Sequence, residues 1–326
     1  MGYVAPVTTT PVVAAGNGRQ VRLWKPDWPV PVAQVLAQHR RGRGDPTYKI
    51  DLAGRHWRGL RTPEGPATLM IDSHLKSGEV YAASFGPGGD WALDSVPALL
   101  GALDDPSGFD PCHPILIQAY EMHPHWRLGR SGLVMEALVP AIIEQKVTGQ
   151  EAFGGFRALV QRYGERAPGP GHDLDLWVQP EPEVLRTIPS WEWLKLSIDP
   201  ARSRAIVLAA RVADSLERVG ALDTNDADRR LRSQPGIGEW TSAEVRARAM
   251  GDADAVSFGD YHVAKDIGWA LTGEQMDDQQ LAELLEPWRP HRGRVQALLG
   301  LAGLRRPRHG PRLAPRTHLP THHGPD

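Results

Sequence analysis

Apolar and polar residues alternate in short runs through the first part of the chain. Three such runs are Tyr48-Ile50-Leu52, Leu69-Ile71 and Val80-Ala82. A period of two is typical of strands with one buried face, and Gly, Pro and Asp residues separate the runs. The pattern therefore predicts antiparallel strands here, together with short helices over residues 32–39 and 96–103.

The hydrophobic period changes to 3.6 beyond residues 104–114, a segment rich in Pro, Gly and Asp. The first long stripe lies in residues 133–147, whose apolar positions fall on one helical face. The same period predicts further helices over residues 153–163, 182–187, 202–219, 226–233, 239–250, 261–271, 278–285 and 292–302.

These two patterns predict an α+β fold that is mostly α, with a small antiparallel α/β domain followed by an all-α domain. The predicted divisions are a flexible N-terminus at residues 1–18, an α+β domain at 19–110, an all-α domain at 111–303 and a disordered tail at 304–326. The tail is rich in Arg, Pro and His.

Composition narrows the possible functions. The chain has 326 residues, 41% of them hydrophobic, which suits two folded domains and excludes a fully disordered chain. Because 37 Lys and Arg residues face 39 Asp and Glu residues, a uniformly basic surface is excluded and any basic surface has to be local. Cys112 is the only cysteine, which excludes a disulfide framework, a thiolate zinc site and an iron–sulfur cluster.

The N-terminal sequence lacks the features of a secretory signal. Its first 15 residues contain no Lys or Arg and no unbroken apolar run. No stretch of about 20 apolar residues occurs in the chain, so no membrane-spanning helix is expected. We therefore expect a soluble protein of the cytoplasm.

Two glycines interrupt the helical pattern at Pro235-Gly236-Ile237-Gly238. Glycines let the backbone turn tightly and leave its N–H groups uncovered, and such groups at a helix N-terminus bind anions. A helix, this turn and a second helix form the pattern of the helix-hairpin-helix, which grips a DNA backbone phosphate. We expect Gly236, Gly238 and Thr241 to bind that phosphate; the alternative is an ordinary corner between two helices.

Asp260 follows Gly259 directly before the predicted helix of residues 261–271. An aspartate at this position caps the helix, and the helix N–H groups stabilise its charged form. It therefore supplies a fixed negative charge suited to stabilising a developing cation. The alternative is that Asp260 only caps the helix.

Residues 231–243 and 258–263 together resemble the helix-hairpin-helix (HhH-GPD) superfamily of DNA glycosylases. Most of the chain is similar to the 3-methyladenine DNA glycosylase II, or AlkA-like, branch, and residues 24–29 resemble the start of that branch's TBP-like α/β domain. The resemblance implies that Asp260 is catalytic and that the partner is damaged double-stranded DNA. It also implies a monomer associated with the nucleoid.

The resemblance further implies a reaction. A base inside a duplex has to be flipped out, and its N-glycosidic bond then breaks through an oxocarbenium-like transition state. Bifunctional relatives carry a Lys nucleophile where this chain has Trp240, and an indole forms no Schiff base. The expected activity is monofunctional removal of alkylated purines in base excision repair, which leaves an abasic site. The alternatives are another lesion, such as hypoxanthine, uracil or a bulky adduct, or a non-catalytic DNA-binding protein.

A base pocket and a DNA wedge are also implied. Trp240 and Trp288 would offer electron-rich faces to a cationic base, although either could instead fill the core. Glu244 replaces an aromatic residue of the family and shares a helix face with Trp240, so we expect it in the pocket or else solvated. Gln145 and Lys146 occupy the wedge segment, where Lys146 replaces a residue that is typically apolar.

Positive charge concentrates near the C-terminus, since residues 287–325 contain no Asp or Glu. We expect Arg289, Arg292 and Arg294 to bind DNA phosphates, while the arginines of the tail either contact DNA too or have no partner. The histidines of the tail are given no metal role, because scattered histidines in a flexible segment lack ligand geometry.

The family resemblance also implies a monovalent cation, Na⁺ or K⁺, at the hairpin. The backbone carbonyls of Arg232, Gln234 and Gly236 would bind it. No other cofactor is expected.

Overall fold

The structure, a computed structural model, describes residues 13–15, 19–74 and 77–307. The flexible N-terminus predicted for residues 1–18 therefore lies almost wholly outside the described residues, and so does the tail from residue 308 onward. Among the helices it does describe, none has the length and apolar content needed to cross a bilayer.

Six antiparallel strands form the sheet of the N-terminal part. They are β1 (Val13–Ala15), β2 (Arg19–Trp24), β3 (Tyr48–Ile50), β4 (His56–Thr62), β5 (Gly65–His74) and β6 (Glu79–Phe85). Their order across the sheet is β1-β2-β6-β5-β4-β3. Leu69 and Ile71 are fully buried in β5, as predicted. Met70 between them is only 5% exposed and packs with Trp57 and Val178, so both faces of this strand are buried and the predicted single buried face is wrong here. Leu52, by contrast, lies beyond β3 and is fully exposed.

Helices pack on this sheet and form the rest of the molecule. In chain order the described α-helices are α1 (Val32–Leu36), α2 (Gly89–Leu99), α3 (Pro114–Met122), α4 (Val134–Ile143), α5 (Gly149–Tyr163), α6 (Pro170–Asp173), α7 (Pro182–Thr187), α8 (Ser190–Lys195), α9 (Pro200–Arg211), α10 (Ala213–Glu217), α11 (Thr224–Arg232), α12 (Glu239–Val245), α13 (Val263–Thr272), α14 (Asp278–Leu285) and α15 (Arg292–Leu301). A π-helical turn, Arg246–Met250, continues α12. The predicted α+β class, mostly α, is confirmed.

Several predicted helix ends are wrong for local reasons. The helix expected over residues 202–219 breaks at Val212, which leaves helical geometry. The break separates α9 from α10, and Glu217 at the end of α10 accepts the N–H groups of Val134 and Met135 at the start of α4. The helix expected over residues 96–103 begins earlier, at Gly89.

The helical part is not purely α. Two short strands, β7 (Glu165–Arg166) and β8 (Trp177–Val178), form a hairpin within it. This hairpin lies against β4, because Gly59 brings the backbones together. A Cβ atom at Gly59 would lie 2.1 Å from the carbonyl oxygen of Trp177.

One of the buried clusters is shared by the sheet and the later helices. Ala119, Trp126 and Leu298 pack with the residues under the sheet although they follow the predicted boundary near residue 110. Polar contacts also join the two parts, including a buried ion pair between Arg58 of β4 and Glu136 of α4. Helix α4, which leads into the predicted wedge segment, is therefore held directly by the sheet.

Candidate functional site

The predicted glycine turn joins α11 to α12. From here on, the hairpin means this turn, residues 235–238, and not the β7–β8 pair. Gly236 has a φ of 86°, and a Cβ atom there would lie 2.6 Å from Cβ of Ala205, so only glycine fits. A Cβ atom at Gly238 would meet nothing within 4 Å. Ile237 between them is 5% exposed and anchors the turn in the core. The turn thus presents bare backbone to solvent at the start of α12.

Gln145 connects the predicted wedge segment to this turn. Its Nε2 donates hydrogen bonds to the carbonyl oxygen of Gly236, at 2.9 Å, and to Oγ1 of Thr241, at 2.8 Å. The Thr241 residue is only 2% exposed. Its hydroxyl therefore holds Gln145 in place, and the Thr241 side chain is not exposed for the predicted phosphate contact.

Lys146 projects from the turn that follows α4. The helix ends at Ile143, four residues before the predicted end, and the carbonyl of Ile143 accepts a 2.7 Å hydrogen bond from Arg202. Lys146 is exposed and has a φ of 55°, the left-handed conformation that residues other than glycine rarely adopt. Such strain persists only where the surroundings impose it, and here both neighbouring segments are anchored.

Asp260 caps a turn that leads into α13. Its Oδ1 accepts hydrogen bonds from the N–H groups of His262, at 2.7 Å, and Val263, at 3.1 Å. The helix consequently begins at Val263, two residues later than predicted. Oδ2 has no hydrogen-bond partner among the described residues. A Cβ atom at Gly259 would lie 3.7 Å from Cβ of Trp240, so the Asp260 turn lies against the hairpin helix α12.

Glu244 is held inside the protein by two polar partners. Its Oε1 accepts a 2.6 Å hydrogen bond from the Ser257 hydroxyl, and its Oε2 accepts one of 2.6 Å from Arg248. Burial acts to raise the pKa of Glu244, but the Arg248 guanidinium, the Ser257 hydroxyl and Arg41 outweigh it, so the pKa lies below its usual value. The alternative that Glu244 is solvated is therefore wrong: its carboxylate is an internal anion.

The loop that carries Asp260 is held from several sides. The Ser257 carbonyl accepts a 3.2 Å hydrogen bond from the N–H of Asp260. The N–H of Ser257 donates a 3.0 Å hydrogen bond to Oε1 of Gln296. The N–H of Gly259 donates to Asp278 at 2.9 Å. Together with Glu244, these residues position Asp260. Sequence reasoning missed Ser257, Gln296 and Asp278, because their contacts join segments far apart in the chain.

Replacing Glu244 by glutamine should lower the free energy of unfolding by about 3 kcal/mol, because Arg248 would lose its charged partner inside the protein. Chemical denaturation measures the change. Glu239, exposed on the first turn of the same helix, provides the matched control, and Glu239→Gln should cost less than about 1 kcal/mol. Equal losses for the two variants would refute a structural role for the Glu244 pair.

The two predicted pocket tryptophans differ. Trp240 is half-buried beside the Asp260 turn, and its enclosed Nε1 has no hydrogen-bond partner. Trp288 is 8% exposed, packs in an apolar cluster with Leu285 and Val295, and donates Nε1 to the carbonyl of Asp110 at 3.1 Å. Trp240 therefore lies next to the Asp260 turn, while Trp288 belongs to the cluster against which Phe258 and Val263, on either side of that turn, are packed. Trp288 fits the alternative of core packing.

The prediction that Arg294 binds phosphate is wrong. The Arg294 side chain is 1% exposed and forms two hydrogen bonds, of 2.5 and 3.0 Å, with the carboxylate of Asp104. Arg292 is similarly engaged, with bonds of 2.8 and 2.6 Å to Asp254. Only Arg289 keeps a half-exposed side chain, and it pairs with Glu286. Acidic residues from distant segments therefore neutralise much of the basic run.

The hairpin carbonyls predicted to bind a cation are partly engaged. Gly236 accepts the Gln145 amide, and Gln234 accepts the Ile237 N–H at 3.1 Å. A carbonyl oxygen has two lone pairs, so each keeps one for a hard cation. In the described part of the chain, no cluster of three or more His, Cys, Asp or Glu side chains is arranged to hold a metal.

Sequence comparison finds similarity to a DNA repair enzyme. Over 181 residues, 52% of the chain, the sequence is 30% identical to the probable bifunctional transcriptional activator/DNA repair enzyme AlkA of Mycobacterium tuberculosis. The match covers 33% of that relative, so the chain corresponds to about a third of its length. No protein-family model matches the chain.

Solved structures share the fold over most of the chain. A 3-methyladenine DNA glycosylase from Archaeoglobus fulgidus matches with a TM-score of 0.72 and 17% identity, over 86% of this chain and 98% of that one. An 8-oxoguanine glycosylase/lyase from Clostridium acetobutylicum matches with a TM-score of 0.67 and 11% identity, over 90% of this chain and 99% of that one. The predicted resemblance to the AlkA-like members of the helix-hairpin-helix DNA glycosylases is therefore confirmed.

Proposed function

We propose that the protein is a monofunctional DNA glycosylase that hydrolyses the N-glycosidic bond of alkylated purines in duplex DNA. The observation that carries the proposal is the placement of Asp260. Its carboxylate is fixed through Oδ1 at the start of α13, keeps Oδ2 free, and belongs to a turn that lies against Trp240 of the hairpin helix.

The hairpin and the wedge would act together on DNA. Backbone N–H groups at Gly236 and Gly238 would hold one phosphate, since both glycines are exposed and directly precede α12. A Na⁺ or K⁺ ion on the hairpin carbonyls would strengthen this contact by adding positive charge. Lys146, exposed on its strained turn, would fill the gap that the flipped nucleotide leaves, with its aliphatic stem in the stack.

Asp260 would stabilise the transition state. As the bond between the base and C1′ breaks, positive charge develops on the sugar, and a carboxylate close to it lowers the energy of that state. Water then attacks C1′ and yields an abasic site. A base alkylated on a ring nitrogen is already cationic, so it leaves readily and is attracted to the face of Trp240 by about 0.5–2 kcal/mol.

Two features favour simple hydrolysis of a cationic base. Trp240 occupies the position at which bifunctional relatives carry the Schiff-base lysine, and an indole forms no imine. Both oxygens of Glu244 are engaged by Ser257 and Arg248, which disfavours recognition of a neutral base through that carboxylate.

A labelled duplex that contains methylated purines tests the proposal. We expect strand breaks on a denaturing gel only after alkali treatment of the enzyme product, because alkali cleaves at abasic sites. The duplex without enzyme is the control. Breaks without alkali, together with a protein–DNA adduct trapped by borohydride, would refute the monofunctional reaction, and no breaks after alkali would refute the glycosylase activity.

A further inference from the structure

A short arginine- and glycine-rich loop lies beside the wedge segment and has no place in the function proposed so far. It is Arg40-Arg41-Gly42-Arg43-Gly44, here called the arginine loop, and it precedes β3 of the sheet. Its middle arginine points inward. The Arg41 side chain is 8% exposed and its Nε lies 3.4 Å from Glu144, the residue before Gln145.

The arginine loop is fixed in one shape. Asp45, which is 1% exposed, accepts the N–H of Arg41 at 2.7 Å. Gly42 has a φ of 73°, and a Cβ atom there would lie 2.9 Å from the ring of Phe153 in α5. The carbonyl of Gly44 accepts a 2.9 Å hydrogen bond from Arg157, also in α5. The loop is thus preorganised against the helix that follows the wedge.

Contacts run continuously from the hairpin to this loop. Gly236 of the hairpin bonds to Gln145 of the wedge segment. Phe153 then connects the start of α5 to the loop, since a Cβ atom at Gly149 would lie 3.9 Å from its ring and one at Gly42 would lie 2.9 Å away. A duplex held at the hairpin and entered by Lys146 would therefore extend toward the arginine loop.

The two outer arginines of the loop have no carboxylate partner among the described residues. Arg43 is exposed, and the Arg40 guanidinium lies 5.9 Å from the centre of the Tyr48 ring. Both line an open groove of about 290 Å³. The groove is bounded by Ala33, Ala37, Arg40, Gly42, Arg43, Tyr48, Ile50 and His56, none of which is acidic. Such a site complements an anion.

We infer that the arginine loop is a second contact with the DNA backbone, in which Arg40 and Arg43 bind phosphates on the side of the wedge away from the hairpin. The inference rests on the proposed function, because it takes duplex DNA as the substrate. Guanidinium groups suit this role, since they bind phosphate oxygens in pairs and always keep their charge. The basic segment at Arg289–Arg294 does not replace it, because Arg292 and Arg294 are held by largely buried carboxylates and Arg289 is paired with Glu286 at the surface.

The salt dependence of duplex binding tests the inference. Each phosphate contact contributes about 0.9 to the slope of log affinity against log salt, so Arg40→Ala/Arg43→Ala should make the slope shallower by about 1.8. Between about 50 and 200 mM salt, the wild type should then lose about twelvefold more affinity than the variant. Arg40→Lys/Arg43→Lys should keep most of the slope, which separates loss of charge from loss of folding.

Lys25 provides the control. It is exposed and has no ion-pair partner among the described residues. It follows β2, which three strands of the sheet separate from β3. Lys25→Ala should leave the slope unchanged. An unchanged slope for the double alanine variant would overturn the inference, and so would a wild type that does not bind duplex DNA. If the wild type binds duplex but releases no base, the proposed function fails, while the comparison of slopes still decides the role of the loop.

Discussion

Asp260→Asn should lower the rate of base release about a hundredfold or more. The variant should still bind methylated duplex DNA. The asparagine Oδ1 can accept the same N–H groups of His262 and Val263, so the turn keeps its shape. What disappears is the negative charge that stabilises the sugar cation, and loss of one such electrostatic group costs about 10²–10³ in rate. Single-turnover release of methylated purines measures the effect, and a gel-shift titration measures binding.

Asp277→Asn is the matched control for this variant. Asp277 caps α14 by accepting the N–H of Gln280 at 2.9 Å, and asparagine caps helices equally well. This variant should release bases at the rate of the wild type. If Asp260→Asn also did so, Asp260 would only cap its helix and the catalytic assignment would be wrong.

Arg294→Ala should lower the free energy of unfolding by about 3–5 kcal/mol, because it leaves the carboxylate of Asp104 charged and unpaired in the interior. The two side chains are 1% and 3% exposed, so water cannot compensate for the lost partner. The pair joins α15 to the segment that follows the sheet helix α2, which makes it a link between distant parts of the chain. Equilibrium denaturation in urea gives the change.

Arg289→Ala separates this effect from a general loss of basic charge. Its side chain is 51% exposed, and surface ion pairs contribute about 0–1 kcal/mol. A loss at Arg294 no larger than that at Arg289 would contradict the buried pair. Asp104→Asn should also destabilise the protein, since it leaves Arg294 without a charged partner.

The sequence predicts those parts of the site that depend on neighbouring residues. The turn at Gly236 and Gly238 follows from backbone freedom, and the capping contacts of Asp260 follow from the chemistry of one side chain and the next few N–H groups. The alternation that predicts β5 and the stripe that predicts α4 are equally local.

Partners that come from distant segments were not predictable. The run of arginines near the C-terminus predicts a free basic surface. In the structure, Asp104 forms an ion pair with Arg294, and Asp254 forms one with Arg292. Glu244 is likewise predicted to line a pocket because it shares a helix face with Trp240. Its contact with Ser257 depends instead on how a later loop packs. Periodicity shows which face of a helix is buried, but not which charged residue from another segment contacts that face.

The most direct test of the account is to incubate the wild-type protein with methylated genomic DNA and identify the released bases by mass spectrometry. We expect free methylated purines, with 3-methyladenine among them, and DNA left with abasic sites. Release of no base, or release only of bases that carry no alkyl group, would contradict it.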